Sequence, residues 1–254
     1  MTLMSLAFGV EPGYAPYRLR QARYQALAET VASFAQERAG QGRAELLLLD
    51  VGVGRGRCKR YLEAYPGLPA IRFFGVDRFS HGQEYVYKHE EWTLYQADLE
   101  QGLAFLASAG YDVVICEQVL EHLHSPQTLI AELERVLAPG GLLIVGVPVF
   151  WPGLELLRRG LLPLFDALTR RKKPRAHAQS FSKSSFLRLF GSVARLPVLE
   201  VRGFRFFSGW LLRWLEHFRW WWRLNRFLGR LLPALCTEIQ VLAKKPEALA
   251  PYQP

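Results

Sequence analysis

A doubly wound α/β fold, built on a seven-stranded, mostly parallel sheet with helical insertions in the C-terminal half, is what this sequence predicts. Three observations carry that expectation. Five strand-length apolar runs alternate with helix-like segments between residues 44 and 148. The runs are apolar throughout instead of at every second position, as in parallel strands covered by helices on both faces. Two further apolar runs near the C-terminus can complete the sheet. A length of 254 residues suits one large domain. We divide 1–254 into an N-terminal helical cover (1–43), a ligand-binding core (44–148) and a C-terminal part (149–254) with substrate-side insertions, a basic aromatic helix and the last strands.

The elements follow in order. Residues 15–39 read as a helix, with Leu19, Leu27, Val31 and Phe34 at helical spacing and Gly40 and Gly42 behind them. Such a helix covers the sheet, the alternative being a lid over a substrate. Strands are expected at 45–51, 71–77, 92–97, 111–117 and 141–147, with a short helix over 99–108. A helix at 126–138 has Ser125 to cap it and Pro126 in its first turn, and a glycine of the pair Gly140-Gly141 in the left-handed conformation to end it behind Pro139. After Pro148 the alternation breaks. Residues 150–180, with the basic run Arg170 to Arg175, read as an insertion or lid. A helix at 182–191 and strands near 197–207 and 236–243 close the chain.

Half of the residues are hydrophobic and 22% charged, which excludes a disordered chain. Three cysteines without a C-x-x-C pair suggest neither disulfides nor a zinc site, and point to a reducing, cytoplasmic setting. The N-terminal residues lack the pattern of a signal peptide, and no run of about 18 apolar residues suggests a membrane-spanning helix. Charge is unevenly placed: residues 1–150 hold 13 Lys/Arg against 17 Asp/Glu, and residues 151–254 hold 19 against 6. The basic half therefore expects an anionic partner. Residues 208–232 carry five of the seven tryptophans. As one helix they place Leu211, Trp214, Phe218, Trp221 and Leu228 on one face and Arg219, Arg223, Arg226 and Arg230 on another, with Glu216 the lone acid. That pattern suits an interfacial anchor on an anionic membrane surface, on the inner face of the membrane; a pocket cover or dimer contact is the competing reading.

The sharpest motif is Asp50-Val51-Gly52-Val53-Gly54-Arg55-Gly56, between an apolar run and a helix-like segment. Glycines here allow a tight turn at the strand's carboxyl end and close approach of a ligand. The spacing is G-x-G-x-G, not the G-x-G-x-x-G of dinucleotide sites, and no Lys-Ser or Lys-Thr follows to make a phosphate loop. The acid at position 50 would repel a phosphate and welcome a cationic sulfonium or amino group.

With that loop the sequence resembles the class I (Rossmann-like) S-adenosylmethionine-dependent methyltransferases, most nearly the type 11 branch, over residues 44–148. The resemblance implies S-adenosyl-L-methionine as cofactor, held by Asp50, Val51, Gly52, Gly54 and Gly56 of the loop. It implies that Asp77, with Arg78 beside it, holds the ribose hydroxyls, and that Asp98, with Leu99, meets the adenine amino group. Glu117 and Gln118 open the segment that closes over the methionine part, and LAPGGLLIVGVP at 137–148 matches the fifth-strand signature. Asp77 also suits a nicotinamide ribose, which the glycine spacing disfavours, and Asp98 can simply cap a helix.

Methyl transfer from a sulfonium is an in-line displacement, so the protein mainly aligns donor and acceptor and excludes water. A hydroxyl acceptor needs a base. His177, in a segment resembling the family's substrate cover, is the first candidate and His122 the second; His81, His89 and His124 also lie within reach of the site, and each has a plain structural alternative. No catalytic metal is expected. The function expected is methyl transfer to a small or lipid-linked acceptor at oxygen. The alternatives are an RNA methyltransferase, for which no recognised RNA-binding module is present, and a non-catalytic relative that binds a membrane or a partner.

Overall fold

The computed structural model describes residues 18–54, 56–63, 68–78, 92–150, 179–206 and 210–247. A 3-10 turn at Arg18–Gln21 leads into helix α1 (Ala22–Gly40). Then come β1 (Glu45–Val51), α2 (Arg57–Glu63), β2 (Ala70–Asp77), β3 (Trp92–Gln96) and β4 (Tyr111–Glu117). Helix α3 (Pro126–Val136) runs into β5 (Leu137–Pro148), followed by α4 (Lys183–Val193), β6 (Val198–Phe204), α5 (Arg219–Leu231) and β7 (Glu238–Lys244). The seven strands form one sheet in the order β3-β2-β1-β4-β5-β7-β6. β1 to β5 are parallel, and β7 alone runs antiparallel to both of its neighbours. The expected doubly wound sheet is therefore present, with its strand order reversing between β1 and β4. Ligands bind such sheets at the carboxyl ends of the strands beside that reversal.

Alternate side chains of the central strands feed two cores. Leu46, Leu48, Val113, Ile115, Leu142 and Ile144 pack with Leu27, Val31 and Phe34 of α1 and Tyr61 and Leu62 of α2. Leu49, Val51, Val114, Cys116, Leu143 and Val145 pack with Leu129, Ile130 and Leu133 of α3 and Phe186 and Phe190 of α4. Each fully buried leucine contributes about 1.5–3 kcal/mol relative to exposure. Covering on both faces explains the unbroken apolar runs, and it makes α1 a cover of the sheet.

Several local expectations are corrected. Helix α3 ends at Val136, because Leu137 turns extended (φ −69°, ψ 130°) to pair with Tyr111. Gly140 does have positive φ, at 72°, but it lies inside β5 and its N–H donates to the Lys245 carbonyl. Pro126 occupies the first turn of α3, whereas Ser125 makes no side-chain cap. The helix expected over 99–108 is a single 3-10 turn, Leu99–Gln101. Ser182 caps α4 through a reciprocal capping box with Ser185.

Residues 208–232 do not form one helix. A 3-10 stretch (Trp210–His217) is separated from α5 by Phe218, which is extended at φ −102° and ψ 133°. Two bonds hold the break: locally, Trp222 Nε1 donates to the Glu216 carbonyl at 2.8 Å, and across the fold the Glu216 carboxylate accepts the Leu19 N–H at 3.1 Å. The insertion expected over 150–180 lies almost wholly outside the described residues.

Candidate functional site

The glycine loop leaves β1 and folds back against β2. Gly52 and Val53 donate to the Val76 carbonyl at 2.8 and 3.2 Å, and Gly54 N–H donates to Asp77 Oδ2 at 2.7 Å. Gly52, Gly54 and Gly56 all have positive φ, at 78°, 50° and 64°. Gly52 is also sterically required, since a Cβ there would overlap the Val119 side chain beyond β4. At Gly54 a Cβ meets only the Gly52 carbonyl, at 3.7 Å, so that peptide faces open space. The loop ends of β1 and β4 thus close on each other at Gly52 and open a crevice at Gly54.

The crevice has two lobes that share Gly52 and Gly54. One, of about 230 Å³, is lined by Asp50, Glu117, Tyr24, Arg57 and Cys58. The other, of about 330 Å³, is lined by Asp77, Arg78, Asp98, Gln118, Val119 and His122, among others. Asp77 braces the loop through Oδ2, and its Oδ1 accepts from the following Arg78 N–H at 2.6 Å. Each oxygen keeps a further lone pair. Asp98 does cap its 3-10 turn, accepting from the Glu100 N–H at 3.2 Å, and it also lines the lobe. Glu100, also in this lining, accepts from the His124 N–H at 2.7 Å. That backbone bond pulls the Glu100 carboxyl below its ordinary range.

The first lobe is acidic, and its two carboxylates are buried. Burial pushes the Asp50 carboxyl up to about 7; a hydrogen bond from Cys58 opposes that, and the charges of Glu117 and Asp77 add to it. Burial also pushes Glu117 up to about 7, against the pull of Arg23. Two carboxyls in this state favour a cation beside them, because a neighbouring positive charge offsets the cost of ionising in a low-dielectric site. The second lobe offers the Gln118 amide, whose buried Nε2 has no hydrogen-bond partner among the described residues. An acidic lobe, an unpartnered donor and a carboxylate with spare lone pairs fit S-adenosylmethionine: a sulfonium and ammonium at one end, a ribose and base at the other.

Behind the acidic lobe lies a polar network that sequence reasoning did not find. Arg23 of α1 is ion-paired to Glu117 at 3.4 Å and to Glu238 of β7 at 2.7 Å. Gln240 donates to Glu117 Oε1 at 2.6 Å and accepts from Arg202 Nε at 2.9 Å. Arg205 pairs with Glu238 at 2.7 Å. A lone charge on the apolar face of α1, in register with Leu27 and Val31, was the one local signal. Tyr24, Arg57, Cys58 and Glu100 also went unnamed; only Arg57, directly behind the loop, had a positional hint.

Of the residues expected at the site, the crevice brings together Asp50, Gly52, Gly54, Asp77, Arg78, Asp98, Leu99, Glu117, Gln118 and His122. Val51 is not in the lining: it is fully buried in the core. Gly56 sits behind the loop, its N–H bonded to the Val53 carbonyl. His122 stands half-exposed on the rim, Nε2 3.8 Å from the buried Glu121 carboxylate. His177, His81 and His89 lie outside the described residues. Among the described residues no group of three His, Cys, Asp or Glu side chains could hold a metal ion.

A parallel sheet reversing at β1/β4, with a G-x-G-x-G loop and an acid ending β2, is the Rossmann-like fold of the class I methyltransferases. Residues 49–145 match the family described as a methyltransferase domain. Thiol S-methyltransferase TMT1B of Rattus norvegicus is 30% identical over 113 residues, and its Homo sapiens counterpart 29%. The chain spans 42% of the length of these curated relatives, through 42% of its own. Among solved structures, the CurJ carbon methyltransferase superposes with a TM-score of 0.57 at 17% identity, covering 96% of this chain and 58% of that one. The [4+2]-cyclase SpnF gives 0.55 at 16%, covering 88% and 81%. These structural likenesses show the fold, and a cyclase among them illustrates that fold alone does not set chemistry.

Proposed function

We propose that this protein transfers a methyl group from S-adenosylmethionine to a small or lipid-linked acceptor with a nucleophilic oxygen, at the cytoplasmic face of an anionic membrane. The observation that carries the reading is the two-lobed crevice at the β1/β4 reversal, acidic at Asp50 and Glu117 and bordered at its other end by Asp77 and Asp98. The bound cofactor supplies an electrophilic methyl on a sulfonium. Asp50 and Glu117 favour the positive end of the ligand, Asp77 accepts from the ribose hydroxyls, and the Gln118 amide donates to an acceptor atom of the same ligand. Catalysis on this reading is alignment and exclusion of water, which needs few reacting side chains.

A hydroxyl acceptor must lose its proton. His122, on the rim of the second lobe, and His177 are the candidates for that base. The relatives' name supports a second reading, a thiol acceptor, which ionises near neutral pH and needs no strong base. His122→Ala and His177→Ala separate the two. With a hydroxyl acceptor, loss of the base lowers kcat at least about tenfold while cofactor affinity holds; with a thiol acceptor both variants keep kcat near the parent value. Calorimetric titration with S-adenosylmethionine, its demethylated product and NAD tests the cofactor. Binding of the first two and none of NAD is expected, and NAD binding in their place would overturn the assignment.

A further inference from the structure

Helix α5 presents three distinct faces, where an amphipathic core helix has two. Trp221, Trp222, Asn225 and Gly229 are buried, the two tryptophans against Leu19, Ala22, Ala26 and Phe204. Arg219, Arg223, Arg226 and Arg230 line a second face, of which Arg226 pairs with Glu29 and Arg230 with Glu200. Trp220, Leu224, Phe227 and Leu231 form the third, at helical spacing, and they are 54, 37, 59 and 61% exposed. Trp214 and Phe218 extend this stripe through edge and stacked ring contacts at 6.0 and 6.4 Å. This is not the face expected from the sequence, since Trp221 is turned inward.

We infer that the stripe Trp214–Phe218–Trp220–Leu224–Phe227–Leu231, rimmed by Arg219 and Arg223, docks on an anionic lipid surface and holds the crevice edge of the sheet against it. Charge decides the occupant. Between residues 210 and 235 the one acidic residue is Glu216, and it is buried. Exposed aromatics beside exposed arginines complement a headgroup layer over hydrocarbon. A second copy of the chain meeting this stripe about a two-fold axis would bring the arginine rims together with no acid of the segment to offset them.

Topology gives the orientation. β6 is antiparallel to β7, which is antiparallel to β5, so β6 ends at the same sheet edge as β1, β2 and β4. The 3-10 stretch and α5 follow that end directly. The Leu19 N–H bond to Glu216 also seats the stretch on the start of the helix that contributes Tyr24 to the acidic lobe. A lipid-linked acceptor would then reach the crevice from the bilayer; this last step rests on the methyltransferase reading, while the docking itself does not.

Co-sedimentation of the full chain with phosphatidylcholine vesicles, with and without phosphatidylserine, tests the inference. We expect binding that requires phosphatidylserine and weakens with salt. Replacing Trp220, Phe227 and Leu231 together by Ser should lower the partition coefficient at least about tenfold while calorimetric cofactor affinity stays unchanged. Arg219→Gln with Arg223→Gln should remove most of the phosphatidylserine dependence. Undiminished binding of the triple Ser variant would overturn the docking face. So would a parent dimer that this variant converts to a monomer in sedimentation, which assigns the stripe to a second copy. Vesicle binding without cofactor binding would defeat the methyltransferase reading and leave the docking intact.

Discussion

Arg23 in the first turn of α1 donates from Nη1 to Glu238 Oε2 at 2.7 Å, across 215 positions of sequence, and through Nε it lies 3.4 Å from Glu117. One side chain therefore ties the N-terminal cover, the end of β4 at the acidic lobe and the start of β7. Burial works to raise the Glu238 carboxyl, but Arg23 and Arg205 outweigh it and hold that group below its ordinary range.

Removing one partner of a buried pair leaves the other charge without compensation, at a cost of about 3–5 kcal/mol. Arg23→Met should lower unfolding free energy by that amount in urea titration. Combining Arg23→Met with Glu117→Gln should recover a substantial part, because the anion that loses its ion pair is gone while Glu238 keeps Arg205. A double variant no more stable than the single one would assign the loss to packing instead of charge.

Cofactor binding should release protons. Asp50 and Glu117, held near pKa 7 by burial, are partly protonated at neutral pH, and a bound cation favours their ionised form. Affinity should rise between about pH 6 and 8, and titrations in buffers of different ionisation enthalpy should report proton release, reduced in Asp50→Asn. A flat affinity profile would show that no cation sits beside these carboxyls.

The same groups set a stability trend without ligand. Asp50, Glu117 and Glu121 are raised to about 7, against about 4 in an unfolded chain. The folded state binds more protons over that interval, so their contribution is full below about pH 4 and is lost as pH rises through 7. Asp50→Asn should flatten the decline in melting temperature.

Gly52 and Gly54 should fail differently. Gly52→Ala places a Cβ into Val119 at positive φ, at a cost of about 2–5 kcal/mol to the fold. Gly54→Val projects into the crevice, with a cost of about 1–2 kcal/mol from backbone conformation and loss of cofactor binding in a folded protein. Circular dichroism and calorimetric titration distinguish these outcomes, and full cofactor affinity in Gly54→Val would show that the loop does not line the ligand site.

Much of this was legible in the chain. The bounds of β1 and β4 follow from their apolar runs, and the order of acids after the strands marks Asp77, Asp98 and Glu117, which line the crevice, whereas β5 begins at Leu137, ahead of the strand expected from 141. These features are local, since side-chain period, glycine spacing and the carboxyl end of a strand are properties of neighbouring residues. Residues 208–232 show the opposite case. Composition marked them as aromatic and basic, but which tryptophans turn inward depended on Leu19, Ala22 and Phe204 arriving from elsewhere, and the helix breaks at Phe218. Arg23 and Glu238 are the same case at the site. Each reads as one more charge in its own segment, and burial made them a pair because the sheet order sets β7 beside β5, with α1 packed across it.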